Sequence, residues 1–190
     1  GMWVVERALS QTQRGDNALL THVLDYFEAQ GFAIVSAADL LSQVAPLRGL
    51  LTKSKMDPHR QDMARAVEIA GRIGALDIGQ AAIVARGIVL AVESVEGTDA
   101  MLARVGELSE EVRGTPDARA GVLAKIPKPQ QDRRIDLPAL GPQTIAGAAR
   151  AGLAGIVFEA DGVLFEASDA CIEQANGAGM FLYGLTPEEF

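Results

Sequence analysis

The chain has a single cysteine, Cys171, so no internal disulfide can form and the fold has to rest on packing alone. That agrees with a reducing compartment. Aromatic residues are scarce, at 5 % of 190 residues, and none is interleaved with the basic side chains. The stacking platforms that hold single-stranded nucleic acid are therefore missing. A broad basic face is missing as well, because the formal net charge is -8. Nucleic acid is thus excluded as the expected partner, and any phosphate site has to be local. No uncharged run approaches the roughly 18 apolar residues that span a bilayer, and no cationic leader precedes an apolar signal core. On those grounds the chain reads as cytoplasmic. Histidines at metal-ligand spacing are absent too, since His22 and His59 are the only two and lie far apart. Neither a P-loop nor a three-glycine dinucleotide fingerprint occurs.

What is present is enough apolar sequence for a core, 48 % of residues. Asp16 to Gln30 places Leu19, Leu20, Val23, Leu24 and Phe27 at helical spacing, with Asp16 as N-cap and Gly31 as stop. Phe32 to Val35 reads as a short strand, and Asp39 opens a helical turn ending near Pro46. Leu50 to Pro58 reads as irregular, and the Asp57-Pro58 pair opens a helix from His59 to Gly74. Ala81 to Ala85 and Ile88 to Val92, joined by Arg86-Gly87, form a tight hairpin. Gly155 to Glu159 and Val163 to Phe165, joined across Asp161-Gly162, form a second. Each is followed by a hydroxyl-Asp pair that opens a helix, Thr98-Asp99 and Ser168-Asp169, which suggests an internal repeat of strand, strand and helix. Between the copies lie a helix from Asp99 to Glu111, a strand from Ala120 to Ala124, a charged loop, and a helix from Thr144 to Ala151. Phe181 to Tyr183 adds a last strand. The alternation makes the fold class α/β, a mixed sheet with flanking helices. Cys171 falls on a helix as a buried small apolar residue.

The charged loop, Lys125 to Gly141, holds Lys125, Lys128, Arg133 and Arg134 beside Asp132 and Asp136, within three prolines that oppose regular structure. Such a combination suits a polyanion and a metal held together. A loop carboxylate can hold magnesium whose other ligands are water and phosphate oxygens, or orient a water for attack on phosphorus. From spacing alone the plainer reading is better supported, a surface Asp-Arg pair worth about 0 to 1 kcal/mol. Lys125, Lys128 and Arg134 are suited to a pyrophosphate, and solvated charge is the plain alternative. In Glu96 through Met101, Gly97 permits close backbone approach, and Thr98 or Asp99 is expected to cap the helix that follows.

Leu76-Asp77-Ile78-Gly79-Gln80, Glu93 through Met101, Lys125 through Gly141 and Ala151 through Ile156, in that order and spacing, resemble the LpxI-type UDP-2,3-diacylglucosamine pyrophosphatases. The pairing of Glu-Gly-Thr-Asp-Ala-Met with Lys-Pro-Gln-Gln-Asp-Arg-Arg-Ile-Asp-Leu-Pro is the specific part, and the resemblance covers about the whole chain. It implies a Mg2+-dependent hydrolase of lipid A biosynthesis in Gram-negative bacteria. UDP-2,3-diacylglucosamine would be cleaved to UMP and 2,3-diacylglucosamine 1-phosphate by water attacking the α-phosphorus. By the same resemblance Asp132 takes the essential catalytic and metal role, with Asp136 second and Asp99 as a supporting metal carboxylate. Thr98, Lys125, Lys128, Gln131 and Arg134 are assigned to substrate by chemistry and neighbourhood. The resemblance further implies that residues 1–57 are the remnant of an N-terminal α/β domain with its linker, lacking a glycine-rich start, and that residues 58–190 are the catalytic-type domain. A truncated cleft would position substrate poorly. Peripheral contact with the cytoplasmic membrane and a homodimer are also implied. A non-catalytic module that binds a nucleotide sugar or lipid phosphate through the same loop is the alternative.

Overall fold

The computed structural model describes residues 16–36, 47–134 and 136–189. These fall into two compact units, one of residues 16–36 with 130–134 and 136–137, the other of residues 47–129 with 138–189.

In the larger unit, β1 (Gly49–Leu50), β2 (Ala81–Ala85), β3 (Ile88–Val92), β4 (Val122–Lys125), β6 (Gly155–Glu159) and β8 (Phe181–Leu185) form one sheet in the order β1-β8-β6-β4-β2-β3. β4, β6 and β8 run parallel; β2 is antiparallel to β4, β3 to β2, and β1 to β8. The central strands are buried on both faces, as continuous apolar runs such as Gly155-Ile156-Val157-Phe158 require. Side chains alternate between faces, so Leu123, Ile156, Phe158 and Leu182 enter one core while Val122, Ala124, Val157 and Phe181 enter the other. The first core is closed by α3 (Gly97–Gly106), α5 (Pro142–Arg150) and α6 (Ser168–Gly177), through side chains including Met101, Ile145 and Cys171. The second is closed by α2 (Arg60–Ala75), which presents Ala66 and Ala70 at a four-residue interval. Each large side chain taken fully out of water, Phe158 or Leu123 for example, contributes about 1.5 to 3 kcal/mol. Cys171 is buried on α6 as expected, and burial raises its thiol pKa.

The α/β reading with a mixed sheet holds, and so does the first hairpin. Arg86 and Gly87 both adopt positive φ, 52° and 76°, the two-residue turn that matches strand twist. The carboxylate of buried Asp62 accepts both turn N–H groups, from Arg86 at 2.8 Å and Gly87 at 2.7 Å. The second hairpin does not form. β6 already has parallel neighbours on both sides, β4 and β8, so no edge remains for an antiparallel partner. The chain after Gly162 instead forms β7 (Leu164–Phe165), which pairs in parallel with β5 (Ala139–Leu140) in a separate two-stranded sheet. The internal repeat is therefore not a structural one.

Smaller corrections follow local chemistry. Asp57 does not cap the helix after it: residues Asp57–His59 form a 3-10 turn with no side-chain cap, and the Asp57 carboxylate accepts from Arg60 at 2.8 Å. The helix expected over Asp99 to Glu111 is two, because α3 stops at Gly106 and a four-residue α4 (Glu110–Arg113) starts after Ser109. Between them, Gly106 and Ser109 are poor helix-interior residues.

In the smaller unit, α1 (Asp16–Ala29) ends where expected, with Gly31 at φ 85°. Phe32 to Val35 is not a strand, since no ladder partner pairs with it among the described residues. Instead the Phe32 ring packs edge-on against Phe27, with centroids 5.8 Å apart. The turn expected from Asp39 to Pro46 lies outside the described residues.

Candidate functional site

β4 ends in a lysine because its last position is the mouth of a cleft. Lys125 shares the face of Leu123, two residues before it, yet only 6 % of it is exposed. Ligand sites in sheets of this kind gather where parallel strands end. The Lys125 ammonium donates to Oγ1 of Thr98 at 2.8 Å and to the carbonyl of Ala139 at 2.8 Å. An ammonium cannot accept, so the one hydroxyl proton of Thr98 is free to go elsewhere. It goes to Oε1 of Glu93, 2.5 Å away, while the second oxygen of that carboxylate accepts the backbone N–H of Gln80 at 3.0 Å. Thr98 and Glu93 are as buried as the lysine. Burial pulls the Lys125 pKa below the ordinary lysine value, and the nearby Glu93 and Asp99 carboxylates act in the opposite sense.

Above this relay opens a cleft of about 690 Å³, lined in part by Thr98, Asp99, Lys125, Gln143, Thr144 and Glu166. The first turns of both α3 and α5 face into it, through Gly97 to Asp99 and Gly141 to Thr144, so backbone N–H groups without helical partners are at hand for an anion. Thr98 and Asp99 lie inside the first turn of α3, and α3 has no side-chain cap. The expected capping role is overturned because Thr98 is committed to Lys125 and Glu93. Asp99 instead accepts from the Thr144 hydroxyl at 3.3 Å.

Lys128, three residues beyond β4, donates to Oδ1 of Asp77 at 2.7 Å. Asp77 holds a left-handed conformation, φ 57°, one that Asp tolerates better than most residues. In the smaller unit Gln131, Asp132, Arg134 and Asp136 form a network of their own. Oδ1 of Asp132 accepts from the Arg134 backbone at 3.0 Å, and the Arg134 guanidinium forks onto both carboxylate oxygens, Nη2 reaching Oδ2 at 2.7 Å. The same guanidinium donates to Glu28 at 2.7 Å. These bonds hold the Asp132 carboxyl below the usual carboxylate range and raise the Arg134 pKa. Gln131, nearly buried, donates to Asp136 at 2.6 Å, and the Asp136 N–H closes a turn on the Asp132 carbonyl at 3.1 Å. Both aspartates sit in a loop, as the prolines require. Among the described residues no group of three or more His, Cys, Asp or Glu side chains is arranged to hold a metal ion.

The structure thus brings Thr98, Lys125 and Asp99 to one cleft, and Gln131, Asp132, Arg134 and Asp136 to one loop network. Glu93, Gln143, Thr144 and Glu166 were not singled out by sequence reasoning. For Glu93 a signal existed, a lone acid closing the apolar run Ile88 to Val92, five residues before Thr98.

Residues 47–183 match the family model of the LpxI C-terminal domain. The UDP-2,3-diacylglucosamine pyrophosphatase LpxI of Caulobacter vibrioides (strain ATCC 19089 / CIP 103742 / CB 15) is 48 % identical over 190 residues, which is 100 % of this chain and 68 % of that protein.

Proposed function

From the fact that this chain belongs to the LpxI family, a family of hydrolases, we propose that it cleaves the pyrophosphate of UDP-2,3-diacylglucosamine to UMP and 2,3-diacylglucosamine 1-phosphate. The observation that carries this reading is identity at 48 % of positions along the entire chain to a relative that bears that activity in its name. In the reaction a water oxygen bonds to the α-phosphorus and the bond from that phosphorus to the bridging oxygen breaks. The sugar phosphate leaves with the bridging oxygen.

The cleft supports a phosphate site. Lys125 has three ammonium protons and spends two of them on protein, so one is left for a phosphate oxygen, beside the open first turns of α3 and α5. Its position is fixed before any ligand arrives, which is the condition under which a charge stabilises a transition state most. Thr98, Lys125, Lys128, Gln131 and Arg134 are the proposed substrate contacts. Lys128 and Arg134 each hold a carboxylate, Asp77 and Asp132, and would exchange it for a phosphate.

Mg2+ is the proposed metal, with Asp132 and Asp99 the carboxylates assigned to it and Asp136 a second catalytic carboxylate. The chemistry of the donors fits: both are hard oxygen ligands, and magnesium takes one or two carboxylates and leaves the rest of its shell to water and phosphate. The cleft carries Asp99 and Glu166 while its lysine is already balanced by Glu93, so a pyrophosphate is better received there with a divalent cation than alone. When bound, the ion would act as a Lewis acid toward phosphate oxygens. Asp132, kept ionised by Arg134, is suited to orient the attacking water.

Among the described residues no helix is long and apolar enough to cross a membrane. We place the protein in the cytoplasm, meeting its lipid substrate at the inner membrane face, and propose a homodimer as its assembly. UMP release measured with Mg2+ and with chelator tests the reading. Release that survives chelation, or full activity in Asp132→Ala, overturns the metal mechanism; no release by the unaltered chain overturns the reaction.

A further inference from the structure

We propose that Glu93 is a positioning residue of the cleft, which orients the Thr98 hydroxyl and through it fixes the Lys125 ammonium toward a phosphate. The inference rests on the hydrolase reading above for its purpose, and on a separate set of contacts for its content.

Glu93 is held from several sides. Its backbone N–H continues the β2–β3 ladder onto the Ala81 carbonyl at 2.8 Å, and its carboxylate accepts the Gln80 N–H at 3.0 Å. Its carbonyl presses on Gly79, where any Cβ would come within 2.2 Å of that oxygen. Only a glycine allows this approach. Glu93 is 6 % exposed and, unlike Thr98 and Lys125, does not line the cleft, so its carboxylate is used within the protein, one oxygen on the Gln80 N–H and the other on the Thr98 proton.

The direction of the relay is then unique. Lys125 can only donate and an ionised Glu93 can only accept, so Thr98 has to donate to Glu93 and offer its lone pair to Lys125. Replacing Glu93 by glutamine preserves the shape but breaks the logic. If the amide oxygen faces Thr98, the amide NH2 meets the Gln80 N–H, donor against donor. If the NH2 faces Thr98, that hydroxyl receives donors from two sides and its own proton has no acceptor within the relay. Either arrangement also removes the negative charge that balances a buried ammonium.

The test uses the intact chain and the variants Glu93→Gln, Thr98→Val, Thr98→Ser and Glu93→Gln/Thr98→Val, with circular dichroism confirming the fold. Two readouts are taken: UMP release under Mg2+, and calorimetric titration with inorganic pyrophosphate. Glu93→Gln is expected to lower kcat by about tenfold or more while KM changes less than about threefold, because the lysine contact tightens as charge develops. In the Thr98→Val background the same substitution is expected to cost at least about threefold less than it does alone, since its hydrogen-bonded route is already cut and only the lost charge remains. Thr98→Ser, which restores the hydroxyl, is expected to retain most activity. Folded Glu93→Gln with unaltered kcat, or an effect that multiplies independently with Thr98→Val, overturns the proposal. If Glu93→Gln does not fold, the coupling is read from Thr98→Ser against Thr98→Val, and equal activity of those two overturns it. If the unaltered chain releases no UMP yet Glu93→Gln still weakens pyrophosphate binding through Thr98, the reaction assignment falls and the relay stands.

Discussion

Two carboxylate–cation pairs in this protein use the same chemistry in opposite surroundings. Lys125 and Glu93 are both nearly buried, bridged by one threonine hydroxyl with no choice of direction. Arg134 and Asp132 are paired more directly, through a bidentate fork, but Arg134 keeps 43 % of its side chain exposed and Asp132 keeps 24 %. Burial makes the first pair expensive to break and therefore rigid, because either partner left alone is an uncompensated charge in a poor solvent. Exposure makes the second pair cheap to exchange, because water screens it and can replace either partner. Rigid charge suits holding a phosphate; exchangeable charge suits the proposal that Asp132 and Arg134 release one another when substrate and metal bind.

The sharpest way to break this comparison is Asp132→Asn. If the exchangeable pair contains the reactive group, UMP release falls by about a thousandfold or more, since the amide can neither hold Mg2+ as a carboxylate does nor orient a water by charge. The fold should be indifferent, with a thermal midpoint close to that of the parent. Activity within tenfold of the parent would reassign the loop to the ordinary surface pair that spacing alone favoured.

Lys125→Met separates the two pairs by stability. The substitution leaves Glu93 buried with a hydroxyl and one N–H but no cation, and should cost about 3 kcal/mol of unfolding free energy, the range found when one partner of a buried pair is removed. Urea denaturation reads it directly. A cost under about 1 kcal/mol would mean that the relay is not organised by charge.

How far the sequence reveals these features depends on their range. The hairpin at Arg86-Gly87, the stop at Gly31 and the apolar strands were legible because each is set by neighbours a few residues away. Lys125 and Thr98 were picked out as candidates by residue type and neighbourhood, but their mutual contact across 27 positions was not legible. The misassigned hairpin at Asp161-Gly162 shows the same limit from the other side. Its turn chemistry was sound, yet β6 had both edges taken by strands that the local pattern cannot see. Glu93 entered only as the first residue of a resembling segment, because its burial against Gly79 and its bond to Thr98 are tertiary contacts that the local pattern does not show.

A pH series sharpens the comparison further. The Lys125 pKa is lowered in the folded chain, so between that depressed value and the ordinary unfolded value of about 10.4 the unfolded state holds more protons at this position. Stability contributed through Lys125 therefore rises with pH across that window. Measured against Lys125→Met, which lacks the group, the parent should gain relative stability as pH is raised toward the ordinary lysine value. A relative loss over that range would mean that Glu93 and Asp99 outweigh desolvation at this lysine, and that burial is not what sets its charge.

The smallest effect on stability is expected at Arg134. Arg134→Gln removes the fork to Asp132 and the bond to Glu28, both at exposed positions, where water and salt screen such pairs and leave them little stabilising effect. The thermal midpoint should hardly change, and whatever small difference there is should shrink further in high salt. The Asp132 carboxyl, no longer beside a guanidinium, should return toward the ordinary range, which carboxyl-carbon NMR titration follows residue by residue. A large, salt-insensitive loss of stability would show that the loop pair is organised as rigidly as the buried relay, and the division between a fixed charge and an exchangeable one would collapse.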